Sequence, residues 1–164
     1  FALGTRKLYD FIDDNLGVEL HGGHVTNDPW TIGRNHKMVS LNTTLQVDLT
    51  GQANSETLGT RQYSGGGGAL NTCMGAQMSP GGKSILALRS TAKGGALPTI
   101  VPCFKEGQSV TIPRADIDYV VTEYGIAHLK SMNVRRRVES LIAIAHPDFR
   151  EWLRSEAKAL QYIF

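Results

Sequence analysis

The sequence predicts an α/β domain: an open, mostly parallel sheet flanked by helices. Three observations carry that prediction. Short, nearly continuous apolar runs such as 83–88 and 117–121 have the length and composition of strands buried on both faces, as parallel strands are. Apolar residues recur at helical spacing near both ends of the chain and once between the strands. Strands in the middle, with helices at the ends and between, argue for the α/β class. Half of the eighteen glycines crowd into 65–68, 81–82 and 94–95 plus Gly75. Glycine serves where the backbone needs positive φ or a close approach, so these clusters predict loops that meet on one side of the sheet.

In chain order, Thr5 to Asn15 predicts an amphipathic helix. Leu8, Phe11 and Ile12 form its apolar stripe, and Asn15-Leu16-Gly17 its stop. Asn27-Asp28-Pro29 marks a turn. Met38 to Leu49 alternates around Asn42-Thr43-Thr44 and predicts two short strands or a hairpin, ended by Gly51. Ala69 to Met78 predicts a helix packed on the sheet. Lys83–Leu88, Ile100-Val101, Val110-Thr111-Ile112 and Ile117–Val121 supply further strands. Asn133 is placed to cap a helix whose apolar face is Val134, Val138, Leu141, Ile142 and Ala145. Pro147 opens the last helix, with Asp148 and Glu151 near its positive end.

The composition bounds the function classes. A net charge of +2 with 20% charged residues gives no electrostatic case for nucleic acid. Cys73 and Cys103 suit free thiols in a reducing compartment. No apolar run approaches the roughly 20 residues a membrane helix needs, and no secretory signal is present, so the cytoplasm is the expected location. The chain starts at Phe1 inside an element's pattern and reads as a piece of a longer protein.

Several motifs resolve into plain roles. Gly81-Gly82-Lys83-Ser84 ends like a phosphate-binding loop, but Gln77 stands where that loop needs glycine, and a strand follows where one should precede. Gly66-Gly67-Gly68 does not complete a dinucleotide fingerprint, because position 71 is Asn. His21 and His24 lack the further ligands that a zinc site requires, so no metal is expected. Arg135-Arg136-Arg137 predicts a solvated helix face. Glu123, just past a strand, is either a catalytic carboxylate or the cap of the turn that follows.

Other segments form a series: Val47-Asp48-Leu49-Thr50-Gly51-Gln52, Tyr63-Ser64-Gly65, Gly81-Gly82-Lys83-Ser84-Ile85, Ser90-Thr91-Ala92-Lys93-Gly94-Gly95 and Ile100-Val101-Pro102. Pro113-Arg114-Ala115-Asp116, Val120-Val121-Thr122-Glu123-Tyr124-Gly125 and Ile144-Ala145-His146-Pro147-Asp148-Phe149-Arg150 continue it. In order and spacing they resemble the C-terminal half of the acetyl-CoA hydrolase/transferase family, the class I CoA-transferases that include 4-hydroxybutyrate CoA-transferase. The resemblance covers nearly all of residues 1–164, as one C-terminal CoA-transferase domain.

The resemblance implies transfer of coenzyme A between short-chain carboxylic acids through a glutamyl-CoA thioester. Acyl-CoA is then a substrate, and no cofactor is held permanently. In the family the nucleophilic glutamate sits ahead of the region equivalent to Phe1, so it is expected outside this chain. The matching oxyanion-hole positions are Asn54 and Gly95. Gly67, Gly68, Lys93, Gly94 and Gly95 are the expected CoA-binding residues. The N-terminal half of the same enzyme is the expected partner, within a homo-oligomer. Turn capping is the alternative role for Asn54, and solvation that for Lys93. A hydrolase of the same family, or a non-catalytic CoA-binding fragment, are the alternative functions. Ala69-Leu70-Asn71-Thr72 and Pro98-Thr99 depart from the family pattern beside the expected acyl pocket.

Overall fold

The computed structural model describes residues 2–164. Helices α1 (Arg6–Ile12), α2 (Gly23–Thr26) and α3 (Pro29–Gly33) lead into strands β1 (Val39–Thr43), β2 (Gln46–Asp48), β3 (Ala53–Asn54), β4 (Thr57–Leu58) and β5 (Arg61–Gln62). Helix α4 (Ala69–Met78) follows, then β6 (Lys83–Ala87), β7 (Thr91–Ala92), β8 (Leu97–Pro98) and β9 (Ile100–Val101). After a short 3₁₀ turn come β10 (Tyr119–Thr122), β11 (Gly125–His128), α5 (Val134–Ile144) and α6 (Pro147–Ala159).

The principal sheet has the order β1-β6-β10-β11. Strands β1, β6 and β10 run parallel, and β11 closes one edge as an antiparallel hairpin with β10. A second sheet, β3-β2-β9, pairs β2 with β9 in parallel and with β3 antiparallel. Thus β1 and β2, adjacent in sequence, belong to different sheets and do not form a hairpin.

Crossover geometry explains α4. Connecting two parallel strands needs a crossover of a dozen or more residues, usually helical, and α4 supplies it between β1 and β6. Its inner side is partly polar: Ser40 Oγ and Asn42 Nδ2 each donate to Thr72 Oγ1 at 3.0 Å. Helices α5 and α6 bury apolar stripes, whereas α1 buries no residue and leaves its expected stripe, with Phe11 63% exposed, uncovered. Val138, Leu141 and Ile142 of α5, with Leu153 and Ala157 of α6, join Leu86, Val120, Ala127, Val47 and Ile100 in one core. Asn133 caps α5 by accepting from Arg136 N at 3.0 Å, and Pro147 opens α6.

Four expectations change. Asp28-Pro29 is more than a turn: the Asp28 carboxylate accepts from Thr31 N at 2.8 Å and caps α3, with Pro29 at its first position. Val110-Thr111-Ile112 is not a strand, because only Ile112 bridges Ala53 and Pro113 next to it has no N–H to continue a ladder. Arg137 is buried, not solvated. Its Nε donates to Met132 O at 3.1 Å and its Nη1 to Thr50 O at 3.4 Å. Finally, the glycine clusters do not share one side of the sheet. Gly81-Gly82 precede β6 at its amino end, whereas 65–68 and 94–95 flank the carboxyl ends of β1 and β6. Both cysteines are free thiols, Cys73 buried and Cys103 exposed. No helix among the described residues is long and apolar enough to cross a membrane.

Candidate active site

The carboxyl ends of the three parallel strands converge on a cavity of about 470 Å³, lined by Thr43, Ala87, Leu88, Arg89, Val121, Thr122 and Glu123. Open α/β sheets bind ligands there, because the loops that leave adjacent strands splay apart at that end. The sequence pointed to Glu123, but Arg89 and its neighbour Ser90 entered no prediction as site residues. The available signal was their position just past a buried strand.

Glu123 extends from the end of β10 to the first residues of the next loop over. Its Oε2 accepts from Ser90 N at 2.9 Å and its Oε1 from Ser90 Oγ at 2.7 Å. The Ser90 hydroxyl is the main cause holding this carboxyl below its ordinary range, with the Ser90 N–H and the Arg89 charge acting the same way. Two donors on one carboxylate favour the ionised form. Glu123 is therefore an anionic clamp, but on the β6–β7 connection rather than on its own following turn.

That connection carries the glycine loop. Ser90 leads into β7, and the β7–β8 hairpin turns at Lys93, Gly94 and Gly95, with φ of +51°, +66° and +97°. Three consecutive left-handed residues are strained for side chains, which accounts for the two glycines. A Cβ at either glycine would meet nothing within 4 Å, so conformation and not crowding demands them. All three residues are exposed. Gly95 N–H donates to Ala92 O at 3.2 Å, inside the hairpin.

Asn54 lies elsewhere, on β3 of the second sheet, and is fully buried. Its Nδ2 donates to Thr57 O at 2.9 Å and to Thr57 Oγ1 at 3.1 Å. Its Oδ1 accepts from Glu56 N and Thr57 N, each at 3.0 Å. The side chain thus staples the Ser55–Thr57 turn, which is the turn-capping role. The turn in turn anchors the next loop, since Glu56 O accepts Tyr63 N at 2.7 Å and Ser64 N at 3.0 Å. Gly67 follows at φ +55° in open space, and Gly68 sits at the N-cap of α4. No hydrogen bond among the described residues links Asn54 to the hairpin turn at 93–95. His21 pairs with Glu19 at 2.8 Å on the surface.

The sequence pattern described as the acetyl-CoA hydrolase/transferase C-terminal domain matches residues 4–157. This chain belongs to that family. The 4-hydroxybutyrate coenzyme A transferase of Clostridium kluyveri is 49% identical over 158 residues, covering 96% of this chain and 37% of that protein. The succinyl-CoA:cyclohexane-1-carboxylate CoA transferase of Geobacter metallireducens is 47% identical over 163 residues, covering 99% and 37%. Among solved structures, RipA from Yersinia pestis superposes with a TM-score of 0.93 at 41% identity, covering 99% of this chain and 37% of that one. The chain therefore spans little more than a third of these relatives. This hydrolase/transferase C-terminal domain keeps the mostly parallel sheet and flanking helices that the apolar runs predicted.

Proposed function

We propose that the chain is the C-terminal part of a CoA-transferase that moves coenzyme A between short-chain carboxylic acids. A carboxylate from a segment outside these 164 residues attacks the acyl-CoA carbonyl. The C–S bond breaks, CoA leaves as thiolate, and a mixed anhydride forms. The thiolate then attacks the enzyme-derived carbonyl of the anhydride, releasing the first acid as its carboxylate and leaving a glutamyl-CoA thioester. The second acid reverses both steps, so every charge is conserved and one difficult exchange becomes a series of easier ones.

This chain contributes neutral N–H donors from the exposed Lys93-Gly94-Gly95 turn to the thioester oxygen as it gains charge, the Gly95 N–H leaving Ala92 O to do so. Gly67 and Gly68 let the ligand approach the backbone. Asn54 acts as a positioning residue that holds the 55–57 turn beneath the 63–68 loop. The observation that carries the proposal is the cavity at the carboxyl ends of β1, β6 and β10, beside the connection that holds that turn. The Ser90 clamp on Glu123 supports a nucleophile from elsewhere, because both of its oxygens already accept hydrogen bonds.

The test is exchange of labelled acetate into acyl-CoA by the intact polypeptide that carries this domain. The expected result is ping-pong kinetics and a covalent CoA adduct on a glutamate outside these residues. Turnover by the purified 164-residue chain, abolished by Glu123→Ala, would make Glu123 the nucleophile and end the proposal.

A further inference from the structure

Among the described residues, one face of the principal sheet has no layer on it. Side chains alternate across strands, and here the alternation separates two unlike faces. Asn42, Leu86, Val120 and Ala127 stand in register on the side packed by α4 and α5. On the other side Leu41, Ile85, Tyr119 and His128 form one row, and Thr43, Ala87, Val121 and Ile126 the next. Leu41 is 67% exposed and Ile126 68% exposed. A dent of about 200 Å³ lies among Lys83, Ile85, Tyr119, Val121 and Ile126.

Parallel strands occur almost only in sheets covered on both faces, and an apolar face of this kind on a monomer marks an interaction surface. These two rows hold no Asp, Glu, Lys or Arg, and the row before them, Val39 and Lys83, adds one charge at the border of the face. Such depletion of charge is the composition of obligate cover rather than of a transient contact. At its edge His128 is fixed by Asp118 at 3.0 Å and stacks on Tyr119 at 4.5 Å between ring centroids, giving a rigid aromatic anchor.

We infer that this face seats amphipathic helices from the part of the polypeptide that the longer relatives have and these 164 residues do not span. The inference rests on the proposed membership of a larger CoA-transferase. Two observations choose this occupant over a second copy. More than half of each relative's length lies outside the match. The open face also runs into the candidate active site, since Thr43, Ala87 and Val121 belong to both. A layer laid on this face therefore also walls the cavity. The surface and the site are completed by the same segment.

Hydroxyl-radical footprinting of the intact wild-type polypeptide tests this without any substitution, read at Leu41, Tyr119 and Ile126 against the urea-unfolded polypeptide. Protection of at least about tenfold at all three in a monomeric sample is the expected result. Oxidation at near the unfolded rate overturns the inference, as does protection that disappears on dilution from dimer to monomer, which would assign the face to a second copy. A native product with the mass of these 164 residues alone also overturns it. The readout is independent of turnover. An active transferase with an open face refutes only this inference, and a covered face on an enzyme without transfer activity refutes only the proposed function.

Discussion

Asn54→Asp separates a structural amide from a catalytic one. In the wild type, Asn54 Nδ2 donates to the Thr57 carbonyl at 2.9 Å and to its hydroxyl at 3.1 Å, in a fully buried site. Asp keeps the two bonds from Glu56 N and Thr57 N but has no hydrogen to give the carbonyl. An ionised oxygen then faces a carbonyl oxygen, and the Thr57 hydroxyl alone can turn to donate. Leaving a buried acceptor unpaired costs about 1–3 kcal/mol, more where a charge is involved, so a loss of roughly 2–4 kcal/mol is expected at pH 7. For a domain of this size that is a fall in Tm of roughly 5–15 °C.

The sign of the pH dependence follows. Burial against a carbonyl raises the folded-state pKa of the new Asp above its unfolded value. The protonated form, which can donate, is stable below the unfolded value of about 3.9, and that stability is lost as pH rises through the folded pKa. The deficit should therefore shrink on acidification. The assay is the urea midpoint of wild type and variant at neutral and mildly acidic pH. A midpoint unchanged at pH 7, together with turnover lowered by about 10²-fold or more in the intact enzyme, would refute the turn staple and restore Asn54 as an oxyanion donor.

Further outcomes are expected at other positions. Gly95→Ala places a Cβ at φ +97° in open space and should cost only roughly 1–2 kcal/mol, while kcat of the intact transferase falls by less than the roughly 10²–10³-fold loss of a whole oxyanion donor, because the backbone N–H is displaced and not removed; equal activity removes the 93–95 turn from the site. Glu123→Gln should flatten the acid limb of stability. The Ser90 bonds depress the Glu123 pKa, so their contribution is present above the ordinary carboxyl range and lost as pH falls through the folded pKa. An unchanged acid limb in urea titrations contradicts the clamp. Arg137→Met should destabilise by about 1–3 kcal/mol through the unpaired carbonyls of Met132 and Thr50, whereas Arg135→Ala and Arg136→Ala should stay within about 0.5 kcal/mol; similar midpoints for all three would deny the burial of Arg137.

Local chemistry was enough for much of this protein. The helix over 69–78, the Asn133 cap, the Pro147 start and the apolar run at 83–88 all depend on residues within a few positions of one another. Such short-range preferences survive any tertiary context that does not oppose them. The order of the family motifs likewise needed no coordinates. The tertiary structure decided what depends on long-range pairing. Strands β1 and β2 part into two sheets because their partners, β6 and β9, lie some forty residues or more away in sequence. Glu123 clamps Ser90 across thirty-three positions, a contact that no window on the sequence contains. Arg137 is drawn inward because the Thr50 carbonyl, remote in sequence, meets its guanidinium. The sequence places Asn54 in the oxyanion hole with turn capping as the alternative, since one residue type serves both. The bonds its amide makes in the folded chain are those of a turn staple, a direction set by packing that the linear sequence does not display.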